Sequence, residues 1–398
     1  MLGWLDALTR TRSLGFVRKP PYPRVWLAAS LAHGGTIGSY LVLSWLASLA
    51  GSTIDVGIVI AVRTLPHAVL GLPVGFLADR VDRRGLLITS QFLLTALMVC
   101  AGALIGARPE MTAVLVLAAA IGALDAVRGV ASQTYVYDLV GREHALRGIS
   151  MTNLGMHLTG VASSAVTGFI LAGPGVGVAL LLFAGLYGLG GAVLLGGFNE
   201  SAIDTRNAEL TTSGSGGVRG LVVICLANEV LGFSSVVLLP VFALEVLGLG
   251  PAALGALYAV RSFGGVLALA VLTVGRSTSA TKGLWASTAV FGLSLIGFAL
   301  LPVFGLMLLF SVLIGAASNA VDALMQTLLQ TALGDQRRGT GMGIWYVCLG
   351  FGPIGHIELA VLADVAGPQR AQAANGVLLT LVGLLAIGAA LRAKARFQ

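Results

Sequence analysis

Long apolar segments, broken only by short polar stretches, run along the whole chain. A helix that rises about 1.5 Å per residue needs about 20 apolar residues to cross a hydrocarbon core about 30 Å thick. Segments such as "LVLAAAIGAL" lack the alternating pattern of membrane strands. The pattern therefore predicts an all-α membrane protein.

We predict twelve transmembrane helices, arranged as two pseudo-symmetric six-helix bundles. The predicted bundles comprise residues 25–198 and 220–391, and residues 199–219 form a polar cytoplasmic linker rich in Ser, Thr, Asn and Gly. Residues 1–24 and 392–398 are basic, and we expect both termini in the cytoplasm, the first one lying on the membrane surface. The spans are expected near residues 25–50, 56–77, 85–107, 112–139, 148–172, 177–198, 220–246, 253–275, 283–302, 304–333, 340–365 and 370–391.

Composition and charge support this assignment and orient the chain. Hydrophobic residues make up 57% and charged residues only 10%, against about 25% charged residues in soluble domains. Nineteen of the 24 Lys and Arg residues fall in the segments predicted to be cytoplasmic, whereas only Arg108 and Arg370 fall in outer loops. This bias predicts the orientation by the positive-inside rule. Because the basic residues are dispersed, the net charge of +7 requires no nucleic-acid partner.

An internal repeat supports a duplicated six-span unit. Gln-Thr precedes a loop glycine at the same distance near the ends of the fourth and tenth spans, at Gln133 to Gly141 and at Gln326 to Gly334. The displacement between the two matches is 193 residues in a chain of 398. Two parallel halves of a duplicated transporter would give such a displacement.

A cluster of charged residues lies in the first predicted cytoplasmic loop. The stretch "GFLADRVDRR", from Gly75 to Arg84, resembles the loop motif G-x-L-A-D-R-x-x-R-R of the major facilitator superfamily. The segments "DLVGREHALRGISM" and "QTLLQTALGDQRRGTGMG" are similar to the branch that contains macrolide efflux pumps and the enterobactin exporter. The resemblance implies the major facilitator fold and a secondary transporter of the bacterial cytoplasmic membrane.

We interpret this motif as a cytoplasmic gate formed by Gly75, Asp79, Arg80 and Arg83. Asp79 is expected to accept hydrogen bonds from the N-terminus of a neighbouring helix or to pair with Arg83, and such bonds would hold one transport state. The alternative is that the arginines only follow the positive-inside rule. For Arg84 this alternative is preferred.

Seven charged residues fall inside predicted spans more than two residues from an end, where each costs at least about 2.5 kcal/mol at the bilayer centre. We predict that most of them lie near the midplane, in a cavity that handles substrate and protons. Asp125 and Arg128 alternatively neutralise each other as an i, i+3 pair, and Glu229 and Arg261 alternatively pair across neighbouring helices. Arg63 is expected near the outer end of its span, with its side chain reaching the interface. The seven residues are Arg63, Asp125, Arg128, Glu229, Arg261, Asp322 and Glu358.

Asp322 and Glu358 are the strongest candidates for proton carriers. If Asp125 pairs with Arg128, and Glu229 with Arg261, these two acids have no evident cationic partner. A buried carboxyl without a cationic partner takes up a proton readily. The alternative is a structural acid with satisfied hydrogen bonds. His356 lies two residues before Glu358 and either relays a proton or fills a polar pocket.

Several departures from the family pattern limit what the resemblance implies about coupling. The first-span acid and the third-span charge pair of many relatives are absent from "AHGGTIG" and "TSQFLLTALM". A phosphate-binding G-x-x-x-x-G-K-[ST] loop is also absent from the sequence, which excludes ATP as the direct energy source. The three cysteines and the scattered histidines have no metal-ligand spacing, so we expect neither a metal nor a cofactor.

Taken together, the sequence predicts a secondary active transporter rather than an enzyme. By resemblance, it exports an amphipathic small molecule such as a drug, a macrolide or a siderophore by alternating access, in exchange for protons. An importer, a uniporter, a lysophospholipid flippase of the same fold and a transport-inactive membrane sensor remain alternatives. The expected partners are the small-molecule substrate, protons and the lipid bilayer, and the protein is expected to be a monomer.

Overall fold

The computed structural model describes residues 21–49, 53–104, 110–196, 215–249, 251–274, 279–333 and 337–396. Every regular element in these ranges is a helix. This is the arrangement that apolar segments require, because a helix satisfies its backbone hydrogen bonds internally. Most of the predicted basic N-terminal segment and most of the predicted linker lie outside the described residues.

Five helices form the described residues from 21 to 196. Helix α4 has 62 residues, which is too long for one membrane crossing, and it breaks at Gly141. Gly141 has φ 71° and ψ 171°, a backbone conformation that favours glycine, so α4 contains the predicted fourth and fifth spans on either side of a sharp bend. The five helices are α1 (Tyr22–Leu49), α2 (Thr53–Arg80), α3 (Arg83–Leu104), α4 (Met111–Ala172) and α5 (Val176–Leu195).

The helices of the second part of the chain are less regular. The predicted eleventh span is divided into α10 and α11 at Gly350 and Phe351, next to Pro353, which lacks a backbone N–H. The helices are α6 (Ser215–Ala227), α7 (Pro251–Val274), α8 (Ala280–Leu300), α9 (Phe304–Ala332), α10 (Arg338–Leu349), α11 (Gly352–Ala366) and α12 (Pro368–Arg396).

Residues 228–246, between α6 and α7, continue the seventh span as an irregular helical segment. It contains a π turn at Asn228–Gly232, a 3₁₀ turn at Phe233–Leu238 and a second π turn at Phe242–Val246. Single π turns within helices are frequent at functional sites, because they change the direction in which side chains project. This irregular segment carries Glu229, one of the predicted cavity residues.

The all-α membrane fold is confirmed, and the described part of the chain has ten helices long and apolar enough to cross a membrane. In this set the bent helix α4 counts once, as does the broken pair of α10 and α11, while α1 with 28 residues does not belong to it. The count of twelve spans therefore stays a prediction.

The chain divides into two compact units. Unit 1 contains the residues up to Thr212 together with Gln330–Gly350, and unit 2 contains Ser213–Leu329 together with Phe351–Gln398. Helix α10 follows the predicted linker in sequence but belongs to unit 1, where it packs against α2 and α4. The predicted bundle boundaries stay a prediction, and the contacts add that α10 packs with the helices of the first half.

Each unit has its own apolar core. In unit 1, Phe183 and Tyr187 of α5 are completely buried among side chains of α1, α3 and α4. In unit 2, Phe242 and Phe298 pack edge to face with ring centroids 5.0 Å apart. Large apolar side chains are also exposed on the helices, among them Phe169 and Val365, at 79% and 81%. Exposed side chains of this kind suit a surface solvated by lipid.

Candidate functional site

The carboxylate of Asp79, at the end of α2, binds the N-terminus of α10. Oδ1 accepts a hydrogen bond from the backbone N–H of Gly339 at 2.6 Å, and Oδ2 accepts one from the N–H of Thr340 at 2.9 Å. The Thr340 hydroxyl donates to Oδ2 at 2.6 Å. These N–H groups lie in the first turn of α10, where the helix cannot supply partners of its own. A carboxylate there is also favoured by the helix dipole.

Two arginines and a second carboxylate surround this contact between Asp79 and the N-terminus of α10, which we call the joint. Arg83 donates to Asp79 at 3.3 Å, to the carbonyl oxygen of Ala78 at 2.9 Å, and to Oδ2 of Asp138. Arg338 donates to the other oxygen of Asp138 at 2.6 Å. The four side chains therefore form one chain of alternating charge, from Asp79 through Arg83 and Asp138 to Arg338.

Glycines let the backbones of α2 and α10 approach each other at this joint. A Cβ atom on Gly75 would lie 2.5 Å from the carbonyl oxygen of Gly339, and one on Gly71 would lie 2.7 Å from that of Gly343. The spacing of four residues on both helices is the small-residue pattern that permits close helix packing in membranes. Gly75 is thus required by the approach of α10, which supplies the physical reason for the first glycine of the motif.

The other charges of the motif have separate partners. Arg80 is exposed at the surface. Asp82 accepts hydrogen bonds from the N–H groups of Arg84 and Gly85 and so caps the start of α3. Arg84 donates to the carbonyl oxygens of Leu194 and Gly196 at the end of α5. The structure therefore brings Gly75, Asp79 and Arg83 together with α10, but not Arg80.

A second polar cluster lies inside unit 1, around Asp125 of α4. Its Oδ2 accepts a hydrogen bond from Arg63 at 3.1 Å, and its Oδ1 accepts from Nε of Arg128 at 3.1 Å and from the Thr36 hydroxyl at 3.0 Å. The exposed fractions of Asp125, Arg63 and Arg128 are 3%, 5% and 4%. The carboxylate thus holds three donors from α1, α2 and α4 in a buried site with one excess positive charge.

The prediction that Arg63 reaches the membrane interface is wrong. Its guanidinium is buried, also donates to the carbonyl oxygen of Thr36 at 3.0 Å, and lies over the ring of Tyr40, 5.4 Å from the centroid. The attraction of Asp125 keeps it inside the unit. The predicted pairing of Asp125 with Arg128 is present, and it is one part of a larger cluster.

The charged residues of unit 2 are arranged differently. Arg261 of α7 donates to the hydroxyl of Ser235 at 3.3 Å, so its hydrogen-bond partner is a serine rather than the predicted Glu229. Glu229 lies buried in the first π turn, facing the backbone at Gly352. Asp322 of α9 is partly buried and also has a partner.

Glu358 of α11 accepts a hydrogen bond from the side-chain amide of Asn375 on α12 at 3.1 Å. Asn375 is 1% exposed, while Glu358 and His356 are partly exposed. An amide donor stabilises the carboxylate without a counter-charge. The hydrogen-bond partner found for Glu358 among the described residues is therefore uncharged, and its role as a proton carrier stays a prediction.

Sequence reasoning missed several residues of these sites. The sequence patterns place Asp138 in a segment of family resemblance and Arg338 among the basic loop residues, but they do not indicate that both join Asp79 and Arg83 in one chain of charges. Thr36 and Asn375 carry no charge and lie in ordinary apolar spans, so nothing in the linear pattern distinguished them. The acid of "DLVGR" directly before a predicted loop was the available signal for Asp138.

Comparisons with known proteins agree with this architecture. The sequence profile of the Major Facilitator Superfamily matches residues 25–355. The multidrug efflux pump Tap of Mycolicibacterium fortuitum is 25% identical over 402 residues, which cover 93% of this chain and 96% of the pump.

Solved structures show the same fold at low identity. The human organic anion transporter MFSD10 (TETRAN) superposes with a TM-score of 0.77 at 14% identity, covering 92% of this chain and 100% of that one. The N162A variant of the E. coli fucose:proton symporter FucP superposes with a TM-score of 0.70 at 14% identity, covering 92% of this chain and 97% of that one. With its helical architecture, its loop motif and the profile match over most of its length, this chain belongs to the major facilitator superfamily.

Proposed function

We propose that this protein is a secondary active exporter of amphipathic small molecules that works by alternating access in exchange for protons. The observation that carries the proposal is the joint between Asp79 and the N-terminus of α10. It consists of hydrogen bonds across a glycine-lined helix contact, so it opens without unfolding any element. Similarity to a multidrug efflux pump over nearly the whole chain supports export as the direction.

In this mechanism, the cytoplasmic side is held closed by the cluster of Asp79, Arg83, Asp138 and Arg338. When the bonds of Asp79 to Gly339 and Thr340 break, these two N–H groups in the first turn of α10 lose their carboxylate partner, which makes the open state less favourable. Binding of substrate or of a proton must supply that difference in free energy, since a ligand shifts an equilibrium only by its differential affinity for the two states.

Glu358 and Asp322 carry the protons in this proposal. Glu358 is held by a neutral amide donor, so protonation breaks no ion pair. His356 lies two residues before Glu358 on α11, and it either assists the transfer or fills a polar pocket. Asp125, in contrast, is fixed between two guanidiniums, which makes it a structural centre rather than a carrier.

Transport by purified protein in proteoliposomes tests the proposal. With an imposed pH gradient, we expect accumulation of the amphipathic dyes rhodamine 123 or fluorescein, and we expect an ionophore that collapses the gradient to abolish it. Glu358→Gln or Asp322→Asn should remove the dependence on the gradient, and Asp79→Asn should reduce the rate at least about tenfold, since hydrogen bonds to a charged group contribute about 1.5–3 kcal/mol. The matched control is Glu143→Gln, at an exposed acid of α4.

Three outcomes would contradict parts of the proposal. Flux that ignores the gradient in the wild-type protein indicates a uniporter. A gradient dependence that survives in both carboxyl variants rejects those residues as carriers. If correctly inserted protein transports neither dye, the result indicates a membrane sensor.

A further inference from the structure

In both halves of the chain, a glycine of one helix packs against the backbone of an arginine on another helix. In unit 1, a Cβ atom on Gly122 of α4 would overlap the backbone carbonyl oxygen of Arg63 on α2. In unit 2, a Cβ atom on Gly315 of α9 would overlap the carbonyl oxygen of Arg261 on α7. Gly122 and Gly315 are 193 residues apart, which is also the displacement of the repeated Gln-Thr pair. Arg63 and Arg261 therefore occupy equivalent places in the duplicated unit.

The hydrogen-bond partners on the first helix of each half support the same equivalence. Arg63 donates to the carbonyl oxygen of Thr36, 27 residues before it. Arg261 donates to the hydroxyl of Ser235, 26 residues before it. Each arginine thus lies between the first, second and fourth spans of its half.

At the position equivalent to Asp125, the acid that holds Arg63, unit 2 has a serine. Asp125 follows Gly122 by three residues, and the residue three positions after Gly315 is Ser318. Ser318 is 3% exposed, and its hydroxyl donates to the carbonyl oxygen of Gly315 at 3.2 Å. Because a hydroxyl carries no charge, Arg261 lacks the counter-charge that its equivalent receives from Asp125.

Arg261 is also more accessible than its counterpart. It is partly exposed, whereas Arg63 is 5% exposed. Within the described residues, no acid forms an ion pair with Arg261, and its side chain donates a hydrogen bond to Ser235 at 3.3 Å. A cation in a membrane span without a counter-charge is costly, and such residues mark substrate or ion pathways. Ser235 lies in the irregular segment of residues 228–246, where the helix is locally rewound.

We propose that Arg261 binds an anionic group of the transported molecule, so that the substrate class is an amphipathic organic anion or zwitterion carrying a carboxylate. This inference rests on the proposed function as a transporter and adds the charge of the substrate. A guanidinium suits this task because it presents a planar fork of donors to a carboxylate. The Ser235 hydroxyl accepts a hydrogen bond from Arg261 and keeps its own proton to donate.

Binding of two matched xanthene dyes to the purified protein tests the inference. Fluorescein carries a carboxylate and rhodamine 123 is cationic, and fluorescence polarisation measures both dissociation constants. We expect Arg261→Gln to weaken fluorescein binding at least about tenfold, as loss of a charge-assisted hydrogen bond predicts. Ser318→Asp should have a similar effect, because it rebuilds in unit 2 the acid that neutralises Arg63 in unit 1.

Matched variants separate charge from folding. Ser318→Ala removes the hydroxyl without adding an acid and should leave fluorescein binding within about twofold of the wild type, and Arg261→Lys should retain part of it. Undetectable fluorescein binding in the wild type, equal fluorescein binding in all variants, or a proportional loss of both dyes would overturn the inference. Charge-selective binding without gradient-driven flux in proteoliposomes would instead support the site and contradict the proposed export.

Discussion

Asp125 shows how one carboxylate determines the state of its neighbours. It accepts hydrogen bonds from Arg63, Arg128 and Thr36, and all of these contacts are buried or nearly so. Each guanidinium alone would be costly inside a membrane span. The acid thus makes the inward position of Arg63 stable, where an isolated arginine would extend to the interface.

Removing that charge should destabilise the protein. Asp125→Asn leaves two buried guanidiniums with no counter-charge, and breaking a buried ion pair costs about 3–5 kcal/mol in proteins. We expect the melting temperature of the detergent-purified protein to fall by several degrees, as measured by thermal unfolding. Asp364→Asn, at an exposed acid of α11, serves as the control. Equal melting temperatures for both variants would show that the cluster contributes no net stability.

At the scale of elements, the contact of α2 with α10 depends on the absence of side chains. Gly71 and Gly75 face Gly343 and Gly339 with the backbones in direct contact. Only this close approach brings the N–H groups of α10 within hydrogen-bond distance of Asp79. The helix packing and the hydrogen bonds of Asp79 therefore depend on each other, since a separation of the helices by the width of a methyl group would lengthen every bond between Asp79 and α10.

Gly75→Ala tests this dependence. The added methyl group would lie 2.5 Å from the carbonyl oxygen of Gly339, and neither backbone yields easily. We expect destabilisation by about 1–3 kcal/mol, as for other overpacked contacts, together with slower dye transport. Gly185→Ala, where no atom lies within 4 Å of the new methyl group, should match the wild type in both thermal unfolding and flux. Wild-type behaviour of Gly75→Ala would contradict the role given to the close approach.

At the scale of the whole molecule, the distribution of basic residues predicts which side each loop faces. The bend at Gly141 lies beside Arg142 and Arg147 and is expected in the cytoplasm, whereas Glu110, before α4, is expected outside. The two positions lie at opposite ends of the first part of α4, which is long enough to cross the bilayer.

Labelling of single cysteines checks this orientation. In a variant without Cys100, Cys225 and Cys348, Glu143→Cys should react with a membrane-impermeant maleimide in inside-out vesicles only. Glu110→Cys should react in right-side-out vesicles only, and both positions are exposed. The opposite pattern would reverse the predicted topology and, with it, the direction expected for transport.

Part of the cluster around Asp79 was predictable, because Gly75, Asp79 and Arg83 lie close together in the sequence. The motif from Gly75 to Arg84 suggested an acid that binds a helix N-terminus, and the structure supplies α10 as the helix next to Asp79. Asp138 and Arg338 could not be assigned, because they are distant in sequence from the motif and approach it only in the folded chain. The same holds for Arg63, whose partner Asp125 lies 62 residues away.

The sequence by itself determined the membrane class, the helical architecture and the charged positions that need an explanation, because long apolar segments without the alternation of barrel strands satisfy their backbone in lipid as helices. Only the tertiary structure decided which charges meet. It joined Arg63 to Asp125, attached α10 to Asp79, and left Arg261 with a serine where its counterpart has an acid. The physical reason is that an ion pair depends on distances of a few ångströms between side chains of different helices, and these distances follow from helix packing, which no linear pattern records.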